Sequence, residues 1–200
     1  QAAAERFETM RGKSPMTPAR ALYELAQAVP DDVVLVEEVI TASQDVMRSF
    51  DIGGVHESYG CRGGGIGEGM AGCVGTALAR PDHQVLAMTG EGSAMYSIQV
   101  LWTAAHYNLN ILFIILSNRE YRVLKHNLEQ YRSRFGVPSN KPYSHMDLTQ
   151  PFLGFSEMAG GMGVPAKQIS KPEEIAVAVA EALATDGPYM LDLLVEGLES

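Results

Sequence analysis

The run Ile111 to Leu116, in which every side chain is apolar, constrains the fold more than any other stretch of this 200-residue chain. It is far too short to cross a bilayer, which takes about 20 residues. It also has no polar side to turn to water. A strand of this kind is stable where helices cover both faces of a parallel sheet. Val33–Val36, Val85–Met88 and Tyr189–Val195 read as companion strands. Between them lie helical patterns. Thr17-Pro18 starts the first, with Thr as cap and Pro where a missing N–H costs nothing, followed by Ala21, Leu22, Leu25, Ala26 and Val29 at helical spacing. Thr41 is expected to cap a second helix reaching about Phe50. A small-residue helix follows the glycine-rich stretch Gly60–Gly69 and runs through Ala79. Further helices are expected over Tyr96–Tyr107, Tyr121–Phe135, Phe152–Gly161 and Lys171–Ala184. Strands alternating with helices predict an α/β fold: a three-layer, doubly wound, mostly parallel sheet with helices on both faces. Residues 1–16 are polar and irregular and read as an arm or linker, leaving residues 17–200 as one domain.

Composition narrows the functional classes. A net charge of -9 argues against nucleic acid or an anionic membrane as the main partner, since phosphate backbones need a basic face. Two cysteines, Cys61 and Cys73, make no disulfide framework, and neither has Cys or His neighbours at zinc spacing. A reducing cytoplasm is the expected compartment. The chain opens on Gln1 without the charged-then-apolar start of a signal peptide, so a piece of a longer protein is expected. No P-loop or nucleophile elbow is present. Gly67-x-Gly69-x-x-Gly72 matches the dinucleotide-binding pattern. However, the preceding His56–Gly60 is not a buried apolar strand, and Glu68 would put a carboxylate beside a pyrophosphate. Close packing of a small-residue helix explains these glycines better.

In parallel α/β sheets ligands sit beyond the carboxyl ends of the strands. After Met88 comes Thr89-Gly90-Glu91-Gly92-Ser93, and after Leu116 comes Ser117-Asn118-Arg119-Glu120-Tyr121. If those strands are neighbours, a carboxylate and an amide oxygen face one crevice. Glycines beside Glu91 would let a phosphate reach backbone N–H groups at a helix start. A hard divalent cation takes carboxylate, amide and carbonyl oxygens completed by phosphate. A metal-bridged diphosphate therefore fits this pattern. Two ordinary strand–helix turns fit it as well, and the residues alone leave both readings standing.

Gly90-Glu91-Gly92, with Asn118 placed 27 residues beyond Glu91, resembles the metal and diphosphate motif of thiamine-diphosphate-dependent enzymes, usually Gly-Asp-Gly and then Asn-Asn. Gly92 to Ile98, Leu101 to Ala105 and Tyr107-Asn108 resemble in particular the carboxy-terminal domain of benzoylformate decarboxylase and acetolactate-synthase-like proteins. The resemblance implies a magnesium ion held by the Glu91 carboxylate, the Asn118 side chain and the Glu120 carbonyl. It implies thiamine diphosphate contacted at its diphosphate by Thr41, Gly92 and Ser93. Gly64 would accept from the 4'-amino group and Ile66 would wedge the cofactor into a bent shape. Tyr121 and Leu124 would line the crevice.

Two departures from the motif stand out. Glu91 replaces Asp in a site whose magnesium wants near-ideal octahedral geometry, and Ser117 replaces the first Asn. No catalytic residue is assigned to the chain, because the acid–base glutamate of the family belongs to a pyrimidine-binding domain, on the same or a partner chain. The resemblance thus implies half of a 2-oxo acid decarboxylase or carboligase, a carbon–carbon lyase, inactive alone and homo-oligomeric when complete. Acetolactate-synthase-like or 2-hydroxyacyl-CoA-lyase-like activity is the alternative, and a non-catalytic cofactor-binding remnant is another. The segment Arg119–Lys141, six basic against two acidic residues, is either a solvated helix face or a patch steering an anionic substrate. His106, on a helix face with Trp102, is expected to be structural.

Overall fold

A computed structural model describes residues 14–60 and 63–198. Cys61 and residues 1–13 of the expected arm lie outside that range. Six strands form a single all-parallel sheet: β1 (Val34–Glu38), β2 (Glu57–Gly60), β3 (Val85–Gly90), β4 (Ile111–Ser117), β5 (Ala166–Ile169) and β6 (Tyr189–Leu194), in the order β2-β1-β3-β4-β6-β5. Among the described residues the helices are α1 (Pro18–Ala28), α2 (Ser43–Ser49), α3 (Glu68–Ala79), α4 (Glu91–Ala94), α5 (Val100–His106), α6 (Arg122–Phe135), α7 (Phe155–Gly161) and α8 (Ile175–Leu183).

The apolar runs divide themselves between two cores. Along β4, Leu112, Ile114 and Leu116 join α1, α2 and α8 on one face, packed with Leu22, Leu25, Val46 and Val179. Ile111, Phe113 and Ile115 point the other way, against Met70, Cys73, Leu101 and Phe155 of α3, α5 and α7. This two-sided burial is why the strand carries no polar residue. Fully burying a side chain of this size is worth about 1.5–3 kcal/mol relative to exposure. At the first helix, Thr17 Oγ1 accepts from the Arg20 N–H at 3.0 Å, and Pro18 opens the first turn. Met16, assigned to the arm by its sequence context, is buried, bridges to Val195 in parallel register, and accepts the Glu196 N–H at 2.9 Å.

Two local expectations need correction and one holds. Thr41 caps no helix: it lies exposed in a 3-10 turn, Ile40–Ala42, and α2 begins at Ser43 with no side-chain cap. The segment before the glycine loop is, as expected, not a buried apolar strand: it forms β2, an edge strand with exposed or half-exposed side chains. The helix expected over Tyr96–Tyr107 starts only at Val100, after a series of turns.

Leaving β1, the chain steps outward to β2 and then crosses back over β1 to β3. The winding direction therefore reverses between β1 and β3, where open α/β sheets bind ligands. The carboxyl ends of β1, β3 and β4 stand side by side, with Glu38 in register with Thr89 and Gly90 with Leu116.

Candidate functional site

Glu91 is the first residue after β3 and is only 4% exposed. Its carboxylate reaches across to the loop leaving β4, where Oε1 accepts the N–H groups of Arg119 and, at 3.2 Å, Glu120. Asn118 Oδ1 accepts the same Glu120 N–H at 3.1 Å. Two oxygens from neighbouring strands thus converge on one point through a three-centre hydrogen bond. Arg119 makes the turn possible by adopting a left-handed conformation, φ 62°. Glu120 then pairs with Asp147 in an antiparallel bridge whose hydrogen bonds are made by its neighbours: Tyr121 N–H to Met146 O, and Leu148 N–H to Arg119 O, both 2.8 Å. In such a bridge the N–H and C=O of Glu120 face away from Asp147 and toward the Glu91 side.

The carboxylate of Glu120 turns to a different task. Lys125, one turn into α6, donates to Glu120 Oε2 at 2.5 Å and to Asp147 Oδ1 at 2.7 Å, and the Leu198 N–H donates to Glu120 Oε1 at 2.6 Å. The Lys125 and Glu120 side chains are 4% and 5% exposed, whereas that of Asp147 is 59% exposed. Burial pulls the Lys125 ammonium down, but the two carboxylates outweigh it and hold it above the ordinary lysine value. Among the described residues no lysine or arginine pairs with Glu91. Burial pushes its carboxyl up to about 7, against the downward pull of the loop N–H groups, and nearby Asp192 adds to the rise. Asp192, on β6, is itself raised by burial, although Ser117 Oγ and Gln168 Nε2 both donate to it. Ser117, in place of the usual Asn, therefore serves a buried carboxylate behind the site.

The remaining expected residues surround this centre. Gly92 backs onto the Tyr121 ring, so a Cβ there would sit 3.0 Å from Cε1, and Ser93 is buried beside it in α4. Tyr121 is 38% and Leu124 47% exposed, and α6 packs against the turn that carries Thr41. Gly64, at φ 73°, and Ile66, 43% exposed, belong to the loop before α3. Ser97 Oγ ties that loop to the segment after α4 by donating to Gly67 O at 2.8 Å.

Much of the basic run is used internally. Lys125 is buried, Arg122 donates to the Glu196 carbonyl at 3.1 Å, and Arg132 pairs with Glu129 and lies over Tyr143. His106 stacks on Trp102 at 4.9 Å between ring centroids. Burial drives the Cys73 thiol well above the ordinary thiol range, which makes it an inert packing group. Among the described residues no helix is long and apolar enough to cross a membrane. Sequence reasoning missed Glu38 and Lys125. Each offered a signal: a carboxylate ending a buried apolar strand, and a lysine five positions after an acidic residue in the metal loop.

Residues 40–193 match the family described as thiamine pyrophosphate enzyme, C-terminal TPP binding domain, and the chain belongs to that family. It is 30% identical over 185 residues to benzoylformate decarboxylase of Pseudomonas aeruginosa, covering 92% of this chain and 33% of that protein. A Mycobacterium tuberculosis protein bearing the name of an acetolactate synthase large subunit is 32% identical over 183 residues, covering 92% and 35%. Among solved structures, the thiamine diphosphate-dependent 4-hydroxybenzoylformate decarboxylase of Rhodococcus jostii superimposes with a TM-score of 0.82 at 29% identity, covering 94% and 34%. The chain spans about a third of the length of these relatives.

Enzymes of this family use thiamine diphosphate with Mg2+. The residues present fit that pair. Among the described residues no cluster of three or more His, Cys, Asp or Glu side chains is grouped for a metal. The oxygens gathered on the Glu120 backbone, the Glu91 carboxylate and the Asn118 amide, are of the hard kind that suits a magnesium ion already carrying phosphate oxygens. A carboxylate lifted to about 7 by burial is one whose charged form such a cation would favour.

Proposed function

We propose that this chain is the diphosphate- and magnesium-binding half of a thiamine-diphosphate-dependent 2-oxo acid decarboxylase or carboligase of the benzoylformate decarboxylase type. The observation that carries the proposal is the convergence of Glu91 and Asn118 on the Glu120 backbone at the carboxyl ends of β3 and β4. Glu91, Asn118 and the Glu120 carbonyl would hold the metal. Gly92, Ser93 and Thr41 would bind the diphosphate, and Gly64 and Ile66 the bent body of the cofactor. Tyr121 and Leu124 would close the substrate side. Thiamine diphosphate supplies, when bound, an electron sink for carbon–carbon bond cleavage. The chain's own residues bind and orient it. The acid–base glutamate would come from a pyrimidine-binding domain on the same or a partner chain, so the domain alone would turn over nothing, and the complete enzyme would be a cytoplasmic homo-oligomeric lyase. Similarity to the mycobacterial acetolactate-synthase-named protein supports a carboligase acting on 2-oxo acids as the second reading.

Calorimetric titration of thiamine diphosphate, with and without magnesium, tests this reading. Magnesium-dependent binding that disappears in Glu91→Ala and Asn118→Ala is the expected result. Affinity unchanged in either variant would refute the metal assignment, and absence of binding by the wild type even when joined to its pyrimidine-binding domain would favour a non-catalytic remnant.

A further inference from the structure

Glu38 ends β1 and is 2% exposed, yet no lysine or arginine is recorded as its partner among the described residues. Its carboxylate is instead directed at the glycine-rich loop. Oε1 accepts the Gly67 N–H at 2.6 Å and Oε2 the Gly69 N–H at 2.5 Å. Charge-assisted bonds of this kind are roughly twice as strong as neutral ones, and the positive end of α3 lies at the same place. The fit is close on every side. A Cβ on Gly69 would stand 2.7 Å from the Glu38 Cβ, and one on Gly67, at φ 90°, would stand 2.6 Å from the Tyr96 Cβ. With Ser97 Oγ donating to Gly67 O, the peptide groups on both sides of Gly67 are fixed, N–H from β1 and C=O from the segment after α4.

Immediately before this clamp stands Ile66, a large apolar side chain left 43% exposed beside the switch between β1 and β3. An apolar tip on an immobilised base is pre-organised for contact, because its ordering precedes ligand binding. We infer that Glu38 is a positioning residue: it locks the Gly67–Gly69 peptides so that Ile66 is presented rigidly to the cofactor's organic body, while the diphosphate and metal are held by the separate loops after β3 and β4. This inference rests on the thiamine-diphosphate reading above and assigns a residue to it.

The division of labour predicts a split that a merely structural residue would not produce. Glu38→Gln keeps the shape but turns one acceptor into a donor facing another donor. Titrations of magnesium with thiamine diphosphate, and of magnesium with inorganic pyrophosphate, should diverge in this variant. Affinity for the first should fall about tenfold or more, as expected for losing a charge-assisted bond, with the second within about twofold of wild type. Ile66→Ala should show the same split, and the double variant should bind thiamine diphosphate no more weakly than Ile66→Ala alone, since Glu38 acts through Ile66. Equal losses for both probes, or additive losses in the double variant, would overturn the positioning role. Wild-type affinities retained by Glu38→Gln would overturn it as well. A wild type that binds neither probe would instead overturn the cofactor reading, and the inference with it.

Discussion

Two buried carboxylates, Glu91 and Glu120, sit within one loop's reach of each other and are treated in opposite ways. Around Glu120 the protein supplies its own counter-charge: the Lys125 ammonium at 2.5 Å and the Leu198 N–H at 2.6 Å. Around Glu91 the partners among the described residues are peptide N–H groups, with a second carboxylate, Asp192, behind, and burial pushes the group up to about 7. The first region is closed and self-sufficient. The second has an electrostatic deficit that a divalent cation would fill. The contrast in how the fold treats two neighbouring buried carboxylates is what the proposed metal role of Glu91 would account for.

The largest effect should come from breaking the closed region. Lys125→Met strands the Glu120 carboxylate in a dry environment and should lower unfolding stability by about 3–5 kcal/mol, the cost of breaking a buried pair on one side. Urea unfolding measures this, and a loss below about 1 kcal/mol would show that the pair is solvated. The same operation on the open region should have the opposite sign. Glu91→Gln removes a charge the metal-free protein has nothing to balance, so at pH 8 it should raise stability by something on the order of 1–3 kcal/mol while abolishing magnesium dependence of cofactor binding.

The pH dependence sharpens that contrast. The folded-state value of about 7 lies above the ordinary 4.5, so the folded protein holds more protons than the unfolded chain between them. The contribution from Glu91 is therefore fully present below about pH 4.5, is lost as pH rises through about 7, and changes little beyond. Asp192, raised in the same direction, adds a slope of the same sign. Stability of metal-free wild type should accordingly fall across this window. In Glu91→Gln the fall should be shallower. Unfolding curves from pH 5 to 8 decide it. The smallest effect belongs to Asp147, whose side chain is 59% exposed although its distance to Lys125 is only 2.7 Å. Asp147→Asn should cost about 0–1 kcal/mol, so burial rather than distance sets the worth of Lys125's two partners.

The interior strands could be read directly from the chain because burial on both faces leaves an unbroken apolar run, as in Ile111–Leu116. The edge strands could not. Glu57–Gly60 and Ala166–Ile169 pair on one side only, and their polar residues are compatible with loops until a neighbour is seen. In the candidate site, glycine context and spacing drew notice to Glu91 and Asn118 but left ordinary turns open, and the resemblance to a family motif singled them out. Lys125 was hidden inside a basic helix, since nothing local distinguishes a buried lysine from a solvated one. Glu38 was hidden because its partners, Gly67 and Gly69, are backbone groups about thirty residues away, brought in by the crossing from β2 to α3.

The shared hydrogen bond on Glu120 also has a spectroscopic consequence. Its amide proton lies between Glu91 Oε1 at 3.2 Å and Asn118 Oδ1 at 3.1 Å, the two oxygens assigned to the metal. A cation drawing on both oxygens would compete with that proton for the same lone pairs, so the resonance of this one amide would register site occupancy without any label or turnover.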